Sequence, residues 1–354
     1  MTIKGRGATS NRPGRFEATV TQHIDDGWWQ DVEPGAPATT VRAETARSII
    51  SHNDSPDLPF NQSINPYRGC EHGCIYCFAR PSHSYLNLSP GLDFETKLFY
   101  KANALELLER ELSHRSYQPR PIQLGANTDP YQPIERELAI TRGILEILLR
   151  FRHPVTIVTK SQLLLRDADL LSDMSNQNLC RVMLSVTTLD ENLKRTLEPR
   201  APSATARLKA IAALKEAGVP VGVLAAPMIP AVNDHELEQI LAAAARAGAR
   251  SAGFIVLRLP NELKDLFQDW LRTHLPLRAD HVLSRIRAMR AGRLNDSRFD
   301  TRFKGVGVEA ELLQKRFEVV CRRLKLNGSR SHELDCTLFR VPPRLQGQLR
   351  LDGF

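Results

Sequence analysis

The chain has 354 residues, 42% of them hydrophobic and 25% charged, which suits a soluble globular protein of one large or two ordinary domains. No stretch of about 18 apolar residues is present to span a bilayer, and the basic N-terminus MTIKGRGATSNRPGRFE lacks the apolar segment of a secretory signal. A cytoplasmic protein with no membrane partner is therefore expected, and six cysteines are too few for a disulfide scaffold.

Residues 1–60 are broken by Pro13, Gly14, Pro34, Gly35, Pro37, Pro56 and Pro59 and read as an irregular N-terminal arm. From about residue 61 the pattern alternates. A first strand is expected near Ser63–Arg68, followed by apolar runs at Ile122–Ala126, Val155–Thr159, Val182–Val186, Val219–Ala225 and Gly253–Leu257. Helical spacing lies between them. Glu135–Phe151 carries Leu138, Ile144, Leu145, Leu148 and Leu149 on one face. Ser203–Ala217 has a capping serine and a terminal Gly218, and Asn233–Ala247 repeats the design, with Asn233 or Asp234 as cap and Gly248 at the end.

Single helices between strands imply a parallel sheet with right-handed crossovers. Six βα units predict an α/β fold, a partial (β/α)6 TIM-type barrel over residues 61–260, with a doubly wound sheet as the alternative. A basic helical extension over 261–331 and a loop-rich tail over 332–354 complete the chain. Between Arg278 and Arg330, 14 Lys and Arg stand against 6 Asp and Glu, an excess of 8 that equals the net charge of the whole chain. Such a segment suits phosphate, and so nucleic acid, as a partner; a pair of solvated Arg-rich helices explains it as well.

Half of the cysteines stand in NPYRGCEHGCIYCFARP, as Cys70, Cys74 and Cys77. Thiolates suit iron–sulfur clusters, zinc or copper(I). Structural zinc and electron-transfer clusters usually take four protein ligands, and only three cysteines lie close together here. Three thiolates on a cubane leave one iron open to a substrate or cofactor. Gly69 and Gly73 let the loop bend tightly, and its place after the first strand is the C-terminal mouth of a barrel, where active sites sit. A zinc site completed by His72 or His83 would use the same cysteines.

This C-x3-C-x2-C pattern after a first strand, with Tyr76 before the last cysteine, resembles the radical SAM superfamily over roughly residues 60–260. The resemblance implies a [4Fe–4S] cluster on Cys70, Cys74 and Cys77, with S-adenosylmethionine (SAM) bound beside Tyr76 and reductively cleaved to a 5′-deoxyadenosyl radical. It also implies an electron donor of flavodoxin or ferredoxin type. Asn127, Thr128 and Asp129 after the second strand then face the methionine amino group, Lys160 after the third its carboxylate, and Ser185 at the end of the fourth a ribose hydroxyl.

DPYQP, VTK, EPRAP and PMIPAVND together resemble the spore photoproduct lyase branch and a bacterial group of DNA-repair-photolyase-like proteins. Nucleic-acid lesion repair is the reaction this implies. Arg290, Arg293, Arg298 and Arg302, interleaved with Phe299 and Phe303, suit a rim for phosphates and bases, and equally a helix–loop that packs its Phe residues inward. The chain departs from that branch in one respect. Its hydrogen-donating cysteine at the end of the second strand is replaced here by Ala126 and Asn127. Two other functions fit the same residues: a radical SAM enzyme modifying a peptide or small molecule, and a non-enzymatic zinc or Fe–S nucleic-acid-binding module.

Overall fold

The computed structural model describes residues 4–17, 38–328 and 333–343. Among the described residues ten strands are present: β1 (Thr40–Glu44), β2 (Ile50–His52), β3 (Gln62–Ile64), β4 (Tyr67–Arg68), β5 (Lys97–Lys101), β6 (Ile122–Leu124), β7 (Val155–Thr159), β8 (Cys180–Ser185), β9 (Val221–Met228) and β10 (Ser251–Val256). Seven form one sheet in the order β10-β9-β8-β7-β6-β3-β2. All neighbours from β3 to β10 are parallel, and only β2 runs antiparallel, at the edge. This is the expected six-unit partial barrel. β10 and β2 end the strand order, so among the described residues the sheet does not close.

Burial along the central strands explains the pattern. In β7, Val155, Ile157 and Thr159 are buried while Thr156 and Val158 are only partly so; β8 alternates likewise from Cys180 to Leu184. Ile64, Leu124, Ile157, Val182, Leu184 and Val223 are fully excluded from solvent and share one core with the covering helices. The opposite faces of β7 and β9 turn Val158 and Leu224 into an open cavity.

Several elements differ from the sequence reading. The first strand is two, because β4 leaves β3 and joins a small sheet of order β1-β5-β4. β1 and β2 also lie in the arm read as irregular, and β5 was not foreseen. The expected helix over 135–151 breaks at Ala139 (φ 49°). Glu135 is the reason: its buried carboxylate accepts from Thr141 N (2.9 Å) and from Tyr67 Oη, so it caps the second helix, Ile140–Arg150, from within the first. Ser203 caps Ala204–Glu216 as expected, its hydroxyl accepting from Ala206 N at 3.1 Å. Asn233 does not cap. Its side chain accepts from Ile229 N (2.6 Å) and donates to Thr187 O (2.6 Å), tying the turn after β9 to β8. Parts of the arm (1–3 and 18–37) and of the tail (332 and 344–354), and Arg330 of the basic segment, lie outside the described residues.

Beyond β10 the chain is helical at Leu263–His274, Ala279–Ala288 and Val308–Leu324, but 290–307 is a loop, not helix. Arg290 causes this. It is 1% exposed and donates to four carbonyls, those of Val256 (2.9 Å), Leu257 (2.6 Å), Thr301 (3.0 Å) and Arg302 (2.9 Å). Val256 N donates to Phe303 O at 2.8 Å, fastening the loop along β10. Lower on that strand, the Asn327 amide accepts from Ala252 N (2.8 Å) and donates to Ala252 O (3.0 Å). The loop also crosses to the other end of the sheet: Arg302 holds Asp57, between β2 and β3, at 2.7 and 2.5 Å.

Arg290 is therefore a staple and not part of a phosphate-facing rim. Replacing Arg290 by Gln, which orphans buried carbonyls, is expected to lower unfolding free energy by about 2–4 kcal/mol. Exposed Arg293→Gln should change it by less than about 0.5 kcal/mol. Urea unfolding of the two variants checks this.

Candidate active site

The turn after β3 and β4 carries Cys70, Cys74 and Cys77 over the C-terminal end of the sheet. Gly69 (φ 75°) and Gly73 (φ 68°) make the bends; a Cβ on Gly73 would sit 2.7 Å from Glu95 Oε2. Beneath the loop lies Arg80, fully buried. It donates to Cys74 O (2.8 Å), Gly73 O (3.2 Å), Pro90 O (3.1 Å), Gly91 O (2.8 Å) and Glu95 Oε1 (2.5 Å). Glu95 accepts in turn from Gly7 N (2.9 Å) and Ala8 N (2.8 Å), so the N-terminal segment straps the loop from outside.

All nine residues named as cofactor or metal contacts line one open cavity of about 180 Å³. Cys70, Cys74, Tyr76 and Cys77 come from the loop. Asn127, Thr128 and Asp129 follow β6, Lys160 follows β7, and Ser185 ends β8. The strand ends of β9 and β10 add Ala226, Pro227 and Arg258.

The side chains differ in what they leave free. Thr128 Oγ1 already donates to Tyr67 O at 2.9 Å. Asp129 is occupied too: Oδ1 accepts from Thr159 Oγ1 (2.6 Å) and Tyr131 N (2.9 Å), and Oδ2 from Lys160 N (2.8 Å), with His72 Nδ1 at 3.4 Å. Burial works to raise the Asp129 pKa, but His72 and these donors outweigh it and bring it to about 2. Asp129 thus sets the backbone of the β6 and β7 ends. Asn127 N donates to Asn65 Oδ1 at 2.9 Å.

Sequence reasoning missed the hub behind this cavity, Glu198 of the EPRAP segment. It is 1% exposed and accepts from Tyr76 Oη, from Arg207 and from Thr187 Oγ1 (2.7 Å), with Lys160 Nζ at 3.8 Å. Burial would raise its pKa, but Arg207 and Lys160 bring it to about 2. Arg207, itself buried, also donates to Ser185 O at 2.9 Å. One carboxylate thus joins the cysteine loop, β7, β8 and the helix Ala204–Glu216. The turn residues of EPRAP signalled a loop; its buried charge had no signature in the sequence.

The chemistry of the donor set fits a metal cluster. Burial raises the pKa of all three thiols, Cys74 to about 12, so the thiolates need a positive centre to form. A zinc ion, with bonds of about 2.3 Å to sulfur, needs its donors closely gathered. No three His, Cys, Asp or Glu among the described residues converge in that way. His83 does not reach the cavity: its Nε2 meets Lys97 O at 2.9 Å. Cys180 lies at the far end of β8 with its thiol on Leu171 O (3.2 Å), and Cys321 is in a helix core. Cys336 sits in the tail, which packs Phe339 on His153 below β7, away from the cavity.

Residues 64–244 match the radical SAM superfamily. The chain belongs to that superfamily. It is an enzyme of the radical SAM class, and membership implies a [4Fe–4S] cluster and SAM. The chain is 36% identical to uncharacterized proteins of Mycobacterium tuberculosis and Mycobacterium bovis, over 71% of this chain and 78% of theirs. It is 32% identical to an uncharacterized protein of Methanocaldococcus jannaschii over 49% of this chain and 62% of that one. Among solved structures, a spore photoproduct lyase complexed with dinucleoside spore photoproduct superposes with a TM-score of 0.58 at 16% identity, covering 80% of this chain and 79% of that one. A second, with bound AdoMet and dinucleoside spore photoproduct, gives 0.56 at 16% identity over 80% and 78%. The likeness shows a shared fold. With enzyme class settled, the non-enzymatic binding module drops out.

Glu198→Ala leaves Arg207 buried without its partner and is expected to cost about 3–5 kcal/mol at pH 7. The folded pKa lies below the model-peptide 4.5, so the stabilisation is present above that value and is lost as pH falls towards about 2. Denaturant titrations of wild type and Glu198→Gln should therefore converge over that window.

Proposed function

We propose that the cavity holds a [4Fe–4S] cluster on Cys70, Cys74 and Cys77 with SAM beside it, and that the enzyme acts on nucleic acid. One observation carries the reading of the site: three thiols, those of Cys70 and Cys74 buried and that of Cys77 partly so, and the polar ends of β6, β7 and β8 face a single cavity above the sheet. When bound there, the cluster and SAM supply reductive cleavage of the sulfonium and hydrogen-atom abstraction from a substrate.

The chain's own groups position and shield. Lys160, whose ammonium lies 5.7 Å from the Tyr76 ring centre, carries the positive charge for the methionine carboxylate. Its backbone is fixed by Asp129 and its side chain is steered by Glu198. Asn127 and Thr128 offer the turn after β6 to the amino group, Ser185 its hydroxyl to the ribose, and the Tyr76 ring a flat wall. Val158, Leu224 and Ile255 give an apolar lining that keeps water from a radical. Free, reduced cysteines suit a cytoplasmic setting, where a flavodoxin or ferredoxin would deliver the electron.

The nucleic-acid substrate is supported by the loop 290–307. It carries exposed Arg293, able to hold phosphate, and half-exposed Phe299, able to stack a base, while the Arg298 guanidinium is engaged by Asp296.

Anaerobic reconstitution with iron and sulfide, reduction with dithionite and addition of SAM is expected to give 5′-deoxyadenosine. Each of Cys70→Ala, Cys74→Ala and Cys77→Ala should lose bound iron and at least about 100-fold of that product, while Lys160→Ala should raise the SAM concentration needed, consistent with loss of a charged contact worth about 2 kcal/mol. Zinc without iron in the wild type would sink the cluster assignment. Turnover of a peptide or metabolite with no nucleic acid present would replace the substrate assignment.

A further inference from the structure

The half of the cavity under β10 has a different character from the cysteine side. Phe78, Ile255 and Phe303 line it, with Arg258 two residues beyond the strand. The Arg258 guanidinium carbon lies 4.8 Å from the Phe303 ring centre and 5.8 Å from that of Phe78. Rings cannot accept hydrogen bonds in the guanidinium plane as an oxygen does, so the N–H groups remain the place for a hydrogen-bonded anion.

Among the described residues no protein group takes that place. Among the described residues Arg80, Arg207 and Arg290 are the fully buried arginines, and each donates to several carbonyls or a carboxylate, although the Arg290 Nε has no partner. Arg258 has its Nε buried with no hydrogen-bond partner. The carboxylate in its neighbourhood, Asp57, is already held by both arms of the Arg302 guanidinium, and Arg302 itself repels Arg258. Arg258 as a whole is only partly buried, but shielding its Nε without a partner is costly, and an arriving anion would remove that cost.

The surroundings indicate which anion. Phe78 is 47% and Phe299 50% exposed, and Arg302 lies over both Phe299 and Phe303 at 4.9 and 4.8 Å. Alternating rings and guanidiniums at an open sheet edge match alternating bases and phosphates. We infer that the β10 side of the cavity is a nucleotide subsite in which Arg258 receives a phosphate of the substrate and Phe78 and Phe303 stack the adjoining bases. This rests on the nucleic-acid reading above and names the residue that enforces it.

The test is fluorescence anisotropy on the full chain with a labelled single-stranded DNA and with the same sequence carrying uncharged methylphosphonate linkages. Arg258→Gln should weaken binding of the phosphodiester strand about tenfold, or about 1.4 kcal/mol. It should also lower the slope of log Kd against log salt by about 0.7. Arg258→Lys should recover part of the affinity. The methylphosphonate strand should bind wild type and Arg258→Gln alike, and the variant's melting temperature should stay level or rise. Equal affinity and salt slope in wild type and Arg258→Gln would overturn the subsite while leaving nucleic acid as the substrate. A fall in melting temperature together with weakened binding of both strands would overturn it by assigning Arg258 to the fold. Failure of wild type to bind either strand, with SAM cleavage intact, would instead overturn the nucleic-acid reading itself.

Discussion

The active-site loop depends on one guanidinium. A turn carrying three cysteines has few side chains to pack, so its shape has to come from its backbone, and buried backbone carbonyls must be satisfied. Arg80 does this with all five of its N–H groups: two reach the loop carbonyls, two the carbonyls of Pro90 and Gly91, and one the Glu95 carboxylate. A lysine has three donors on a flexible stem and no planar fork to match this set. Because Glu95 also holds the amides of Gly7 and Ala8, the position of the cysteines is shared between the loop, the segment after it and the N-terminal strap.

Glu198 plays the complementary part. Arg80 is a cation gathering carbonyls beneath the cysteines, and Glu198 is an anion gathering donors behind the strand ends. Together they fix the near wall of the cavity, and each buried charge is matched. Arg258, on the far wall, is not. Arg80 and Arg207 each hold a carboxylate and Arg290 four carbonyls, whereas no hydrogen bond from Arg258 to a described residue is present. The contrast within one chain carries more weight than the isolated observation.

The outline of the fold was legible in the sequence because a parallel sheet writes itself plainly: all five apolar runs became strands of the sheet close to their expected places, and β7 spans the expected Val155–Thr159. The cysteine spacing and the polar residues after each strand located the cavity, since strand order alone brings successive C-terminal ends together. What escaped were features set by tertiary hydrogen bonding. Asn233 had the look of a cap and bonds across to β8 instead. Glu135 splits a helix that periodicity joined. Arg290 counted as surface charge by composition, although four carbonyls hold it inside. Charged residues in the core carry no periodic signature, so Glu198 and Arg80 could be found only in three dimensions.

An open sheet has a further problem to solve, that of its unpaired edge. β10 ends the strand order and would offer its free peptide groups to any other extended chain. The Asn327 side-chain amide answers Ala252 at both its N–H and its C=O, as a neighbouring strand would, and the Phe303 carbonyl and Arg290 occupy Val256. At the other end, β2 is three residues long. The contacts that hold the loop 290–307 in place therefore also serve as a guard against edge-to-edge aggregation, and the partial barrel keeps an open mouth without presenting a template for a second molecule.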